Sequence, residues 1–398
     1  MLAAALFVLL LGPFGQLPPS QKLSPEDQKG FNEELERVKK LLSTANDKGA
    51  VEFQVARTYA AGGQYAEAVA WLRKVVDEHL GFDPARDRLF ADLRETSEVK
   101  ALSAKIRADT PPISSSFPVT TISEADLFPE NFAYDERKKA FYLGSTFKNE
   151  IVRCDARGSC EPFANLGYVR GLKIHPATHT LWTTSNTNAG ASLNHYELAT
   201  GKLLGAFPLT GRHVFNDLTV SRAGDVYVTD TAEGAVYKVS SQSGKLERFV
   251  PAHDFPAANG IALSADERTL YVANFGDGIS VVDLSTRSVK PLTHPAGVCL
   301  SYIDGLYHIG KSLIAIQNGP MVPRIVRFAL SAEGRAVASM TVLERRNPLF
   351  DGLTTGTIVG GRFLYIANPQ IDKVENGKVK PTVELDPLRI LAIRLTRP

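Results

Sequence analysis

Six short tracts of this chain each open on a polar or charged residue, continue through a small or polar one and then turn apolar. They are Glu130-Asn-Phe-Ala, Arg170-Gly-Leu-Lys, Asn216-Asp-Leu-Thr, Asn259-Gly-Ile-Ala, Asp304-Gly-Leu-Tyr and Asp351-Gly-Leu-Thr. The leading residues lie 40, 46, 43, 45 and 47 positions apart, and five of the six carry oxygen donors. Oxygen is the ligand chemistry of hard cations: calcium takes carboxylates, amide carbonyls and water, whereas zinc prefers nitrogen and sulfur. No Cys cluster in the sequence has zinc spacing. Two carboxylates and two amides, Glu130, Asn216, Asn259 and Asp304, would hold one divalent cation, calcium by preference, and leave positions open for water and a small molecule. Arg170 and Asp351, on the same rim, are the further candidates for contact with substrate.

Residues this far apart in sequence meet only if the chain repeats a unit. A period of this length is filled by four short strands and their turns, as in one blade of a β-propeller. If each leading residue starts the innermost strand of its blade, all six face one mouth of a central channel. The register supports this: 11 residues separate Glu130 from Phe141, Arg170 from Leu181 and Asn259 from Leu270, where the second strands begin, and Asn216 to Val226 is one shorter. Blades five and six drift from that spacing. Asn, Asp and Gly open strands simply because they suit turns, but Glu130 is no turn former and such a position recurs once in each of the six units. Third strands recur at Ile151-Val-Arg-Cys, Ala235-Val-Tyr-Lys-Val, Ile279-Ser-Val-Val, Arg324-Ile-Val-Arg-Phe and Ile390-Leu-Ala-Ile-Arg-Leu. The last leaves blade six one strand short, and Pro118-Val-Thr-Thr-Ile122 is free to supply it and to remove the open sheet edges at the junction.

The residues before the propeller have a different period. Residues 24–108 are helical: Ser24-Pro25-Glu26 reads as a cap, a first-turn proline and an early acid, and Tyr59-Ala-Ala-Gly-Gly-Gln-Tyr65-Ala-Glu-Ala68 resembles the turn and second helix of a tetratricopeptide unit, with Gly63 and Ala68 allowing close packing. One such unit cannot bury both faces alone, so it must pack on neighbouring helices or on a protein partner; a small helical cap is the simpler reading. Residues 109–117, rich in Pro and Ser, read as a linker, and 118–398 as the all-β six-bladed propeller. Residues 1–20 are apolar, Leu/Ala-rich and broken by Gly12-Pro13, of the length of a signal-peptide core and too short to span a bilayer. Export to the periplasm or outside is expected, with membrane anchoring if the segment is retained and no transmembrane span in the mature chain. In such a compartment Cys154 and Cys160, which flank the Asp-Ala-Arg-Gly-Ser turn, can close a disulfide; Cys299 reads as a buried apolar residue. The 398 residues carry 45 basic and 43 acidic side chains, a net charge of +2, which argues against nucleic acid as a partner.

Pro129-Glu130 with Tyr134-Asp135, Phe215-Asn216-Asp217, Asn259-Gly260-Ile261-Ala262 and Asp304-Gly305, in this order and at blade spacing, resemble the senescence-marker-protein, regucalcin and gluconolactonase family, with paraoxonases and diisopropyl-fluorophosphatase as more distant relatives. The resemblance covers about residues 118–397. It implies a six-bladed propeller in which Glu130, Asn259 and Asp304 bind the divalent metal and Asn216 sits on its open side, touching water or substrate. It also implies hydrolysis of lactones, or of aryl esters or organophosphates, with the metal polarising the reacting oxygen. Asp304 is then the first candidate for the group that directs water, with Asp217 and His213 as rivals. One departure stands out: the sugar-lactonase branch has an arginine two residues before the blade-three Asn, where this chain has Val214, with Arg212 and His213 out of register. Arg170 can supply a cation from another direction. His175 and His179, flanking a turn, read as solvated. The competing reading is a non-catalytic propeller with a structural cation and a protein-binding helical segment.

Overall fold

The computed structural model describes residues 24–251, 255, 257–375 and 377–395; the expected signal segment lies outside them. Among the described residues no helix is long and apolar enough to cross a membrane. The chain forms a small helical unit followed by six four-stranded antiparallel sheets arranged as propeller blades.

Among the described residues four α-helices make the first unit: α1 (Pro25–Leu41), α2 (Lys48–Ala61), α3 (Tyr65–Asp77) and α4 (Ser97–Asp109). Each start has a physical cause. Ser24 Oγ accepts from Asp27 N–H, with Pro25 in the first turn of α1, and Thr96 Oγ1 caps α4 at Val99 N–H. Close packing between α1 and α2 depends on Gly62, where a Cβ would stand 2.4 Å from the Phe31 ring; Gly63 has open space around it and serves instead as a turn residue at φ +68°. The expectation for Gly63 is thus corrected by one position, while Ala68 is fully buried as expected.

α2 is buried on nearly every side because the propeller covers the face that its sister helices leave bare. Phe53 stacks on Phe82 at 4.6 Å between ring centres, and Phe82 meets Tyr302 of the propeller edge-on at 5.5 Å. One apolar core therefore runs from Phe31 through Phe53 and Phe90 to Cys299, Tyr302, Met321 and Val322. Asp47 joins the two parts by hydrogen bonds: one carboxylate oxygen caps α2 at Ala50 N–H, and the other accepts from Leu300 and Ser301 N–H of the propeller at 2.7 and 2.9 Å. Residues 110–116 then run along the outer strand of blade five, where Ile113 pairs with Arg345 and Ser115 and Ser116 N–H donate to Glu344.

The innermost strands of blades one to six are Pro129–Asp135, Leu172–His175, Phe215–Val220, Ala258–Leu263, Ile303–Ile309 and Gly356–Val359. Phe117–Ile122 pairs antiparallel with Leu388–Arg394 as the outer strand of blade six, so the first and last strands close the ring. Cys154 and Cys160 face each other across the outer hairpin of blade one and are disulfide-bonded; Cys299 is buried and free. His175 is not solvated: it is buried with Nδ1 2.8 Å from Thr178 Oγ1, and His179 Nε2 lies 2.8 Å from Asp135 Oδ2.

Blade six departs from the sequence reading. Gly356 pairs with Tyr365 as Leu306 pairs with Ala315 in blade five, which places Thr354, two residues before Gly356, at the position that Asp304 holds. Asp351 lies in the loop before the strand, with Oδ2 3.1 Å from Lys373 Nζ. Its Asp-Gly-Leu triplet copies the motif, but Gly352, at φ +77°, turns the loop rather than opening a strand.

Candidate metal centre

The innermost strands of blades one, three, four and five share a local device. Each carries one extra residue near its start, so that Glu130 with Asn131, Asn216 with Asp217, Asn259 with Gly260, and Asp304 with Gly305 fall inside a register shift. A bulge of this kind bends the strand and re-aims the side chains beside it. Arg170, Asn259 and Asp304 are each followed by glycine: a Cβ on Gly171 would stand 2.5 Å from Asn216 O and one on Gly260 2.5 Å from Asp304 O, both in the next blade, whereas one on Gly305 would first meet the Tyr307 hydroxyl of its own strand at 2.7 Å. Threonine hydroxyls fix the neighbouring carbonyls. Thr184 Oγ1 donates to Asn216 O, Thr229 Oγ1 to Asn259 O, and both Thr354 and Thr355 donate to Glu130 O at 2.9 and 2.7 Å.

The result is a cavity of about 550 Å³ at the channel mouth, onto which Glu130, Arg170, Asn259, Asp304 and Thr354 all open. Arg170 Nη1 donates to Glu130 Oε1 at 2.8 Å, and its guanidinium lies 4.8 Å from the centre of the Tyr168 ring. Asn318 Nδ2 donates to Asp304 Oδ2 at 2.7 Å and to Leu353 O, and Asn259 also hydrogen-bonds Asp304. Asn216 is buried and does not line this cavity; its Nδ2 donates to Thr231 Oγ1 at 3.0 Å.

The electrostatics are those of a site short of positive charge. Burial, and then the nearby Glu130 carboxylate, push the Asp304 carboxyl up to about 7, although Asn318, Arg170 and Asn259 favour its ionised form. Burial alone would lower the Arg170 pKa, but Glu130, Tyr168 and Asp304 outweigh it and raise it. The Asn259 amide oxygen is buried without a hydrogen-bond partner. Buried polar oxygens are normally satisfied, so an orphaned amide oxygen beside two carboxylates is a donor set that fits a hard divalent cation.

The other sequence candidates stand elsewhere. Asp217 is buried and does not line the cavity; its Oδ1 accepts from Asn131 Nδ2 and Leu218 N–H, and burial raises its pKa, against Lys173 and those hydrogen bonds. His213 does not line the cavity: its Nδ1 lies 2.6 Å from Asp230 Oδ2, and its ring meets Tyr237 edge-on in the outer part of blade three. His213, Asp230 and Glu233 form a second cluster of possible ligands, but Glu233 is already paired with Arg248 and with Tyr237 Oη. Asp351 does not line the cavity either, although Gly352 and Leu353 do. A larger cavity, about 770 Å³, opens beside the disulfide hairpin of blade one and contains no ring residue.

Sequence reasoning missed Asn318, Tyr168, Thr354 and Arg86. For Asn318 a signal existed: Thr231 follows its ring residue by 15 positions and Asn318 follows Asp304 by 14, both just past the second strand. Arg86 belongs to the helical unit, and no blade periodicity could point to it.

Residues 128–296 match the model of the SMP-30/gluconolactonase/LRE-like region. No curated protein sequence matches the chain. Among solved structures, regucalcin from Agrobacterium tumefaciens, described as a calcium-binding protein, is 16% identical over 70% of this chain and 95% of its own, with a TM-score of 0.51. The PQQ-bound aldose sugar dehydrogenase of Streptomyces coelicolor is 14% identical over 71% of this chain and 98% of its own, with a TM-score of 0.50. Virginiamycin B lyase of Staphylococcus aureus is 12% identical over 69% and 97%, again with a TM-score of 0.50. Three different activities on one architecture make this a likeness of fold, and the site has to carry the function. Over residues 128–296 the chain is similar to the SMP-30/gluconolactonase/LRE-like family, carried here within a six-bladed propeller.

Proposed function

We propose that this chain is a divalent-metal-dependent hydrolase of the lactonase or esterase type, acting on a small molecule at the mouth of the propeller channel. The observation that carries this reading is the unpartnered, buried Asn259 amide oxygen on the same cavity as the Glu130 and Asp304 carboxylates. Glu130, Asn259 and Asp304 would hold the cation; the all-oxygen donor set favours calcium, and the regucalcin neighbour is named as a calcium-binding protein. When bound, the cation supplies a Lewis acid for the carbonyl oxygen of the substrate.

The remaining roles belong to the chain. Arg170, held by Glu130, keeps a fixed positive charge on the wall of the cavity where negative charge develops on substrate oxygen. Of the three candidate bases only Asp304 lines the cavity, so it is the group that takes the proton of the attacking water; Asp217 is held by Asn131 and Leu218 N–H, and His213 by Asp230. The Cys154–Cys160 disulfide supports an oxidising compartment, hence an exported protein.

The test is turnover of γ- and δ-lactones, an aryl ester and a phosphotriester by the purified protein, with calcium or with chelator. Calcium-dependent hydrolysis of at least one of them, reduced at least about 100-fold in Asp304→Ala and in Glu130→Gln, is the expected result. Calcium binding without turnover of any of them would instead leave a binding propeller.

A further inference from the structure

The helical unit reaches into the cavity. Its short turn Pro84–Arg86 stands over the loop of blade five that carries Asn318, and the backbone there is fixed on both sides: Asp83 N–H donates to Pro320 O and Val322 N–H donates to Gly81 O, each at 2.8 Å. Phe82 pairs with Met321 between these bonds, and Asp83 Oδ1 caps the turn at Ala85 N–H. The position of the Arg86 backbone relative to the ring is therefore set by the same contacts that bury the shared core.

From that anchored turn Arg86 lines the cavity that holds Glu130, Asn259 and Asp304. Its Nε points at Gly319 O, 3.4 Å away, which leaves both terminal nitrogens of the guanidinium for another partner. Among the described residues Arg86 forms no ion pair; Asp83 and Asp372 act on it only at longer range, and Arg346 opposes them. Arg170, the other guanidinium on this cavity, is already committed to Glu130. Arg86 is thus a partly desolvated guanidinium on the same cavity as Glu130, Asp304 and Asp372, with its terminal nitrogens open to a planar anion.

We infer that Arg86 is a specificity-determining residue that binds a carboxylate of the substrate, so that the preferred substrate is a small lactone or ester bearing a carboxylate group. This rests on the hydrolase reading above and deepens it. A guanidinium fork matches a carboxylate with two parallel hydrogen bonds, and a cavity of about 550 Å³ has room for a five- or six-membered ring with one such substituent. The helical unit then forms one wall of the site. In the reaction, water adds to the lactone carbonyl carbon, the acyl carbon–oxygen bond breaks, the ring oxygen leaves as a hydroxyl after taking a proton, and the new carboxylic acid releases one proton to solvent.

The experiment compares 5-oxotetrahydrofuran-2-carboxylate with neutral γ-valerolactone by proton release in calcium. The ratio of their kcat/KM values should fall about 10- to 100-fold in Arg86→Gln, chiefly through KM for the carboxylated lactone, and recover in part in Arg86→Lys. A ratio that stays within about twofold of wild type overturns the inference. Calorimetry on chelator-treated protein with 2-hydroxyglutarate, the product of the first lactone, decides the same point without turnover: binding by wild type that Arg86→Gln loses supports it, and equal behaviour of the two proteins overturns it. If wild type hydrolyses neither lactone, the hydrolase reading fails for these substrates, while the calorimetry still decides the role of Arg86.

Discussion

Asp304 concentrates the tension of the site in one side chain. Its carboxyl, ordinarily near 3.8, is pushed up to about 7 by burial and by Glu130. A carboxyl raised on folding is held in its protonated form by the native state, so it adds stability at low pH that is lost as pH rises through the folded value. Chelator-treated wild type should therefore lose stability between about pH 4 and pH 7, by at most about 1.4 kcal/mol per pH unit from this group. Denaturant unfolding of wild type and Asp304→Asn in chelator measures it; the variant should lack that part of the slope, and an equal slope in both would show that Asp304 does not titrate in this window. Residue types and spacing made Glu130, Asn259 and Asp304 legible, because oxygen donors at a blade period have few other uses. Asn318 and Tyr168 were less so, since they reach the cavity from loops whose direction only the folded backbone fixes.

At the scale of elements, the site depends on a repeated bulge and on the glycines behind it. Gly260 lies where a Cβ would stand 2.5 Å from Asp304 O and 2.7 Å from Leu306 N, both backbone atoms that cannot swing away. Gly260→Ala should therefore cost about 1–3 kcal/mol of stability and weaken calcium binding, because the strand it displaces carries Asp304. Thermal unfolding with and without calcium, together with calcium calorimetry, reads both effects; wild-type affinity in a folded variant would show that the close approach does not position the ligand. Period and register made the blades legible down to the closing strand Phe117–Ile122. The bulges were not, because a shift of one residue leaves the apolar pattern on either side intact. Blade six was misread for a related reason: Asp351-Gly352-Leu353 has the chemistry of the motif, whereas Thr354-Thr355-Gly356 has its place.

At the scale of the whole molecule, two parts with different periods share one core and one cavity. Composition separated the helical unit from the propeller, yet gave no sign of where the two touch, since Phe53, Phe82, Cys299 and Met321 are apolar residues of ordinary appearance in their own segments. The strand order of all six blades is needed to bring Glu130 and Asp304, 174 positions apart, to a single cavity, the proposed cation site. The most direct test of that site is a crystal structure of the protein with manganese in place of calcium. The account predicts an anomalous peak within coordination distance of the Asn259 amide oxygen and the Glu130 and Asp304 carboxylates. A peak confined to the His213, Asp230 and Glu233 cluster, or an Asn259 oxygen without a metal while Arg170 alone neutralises Glu130, would contradict it.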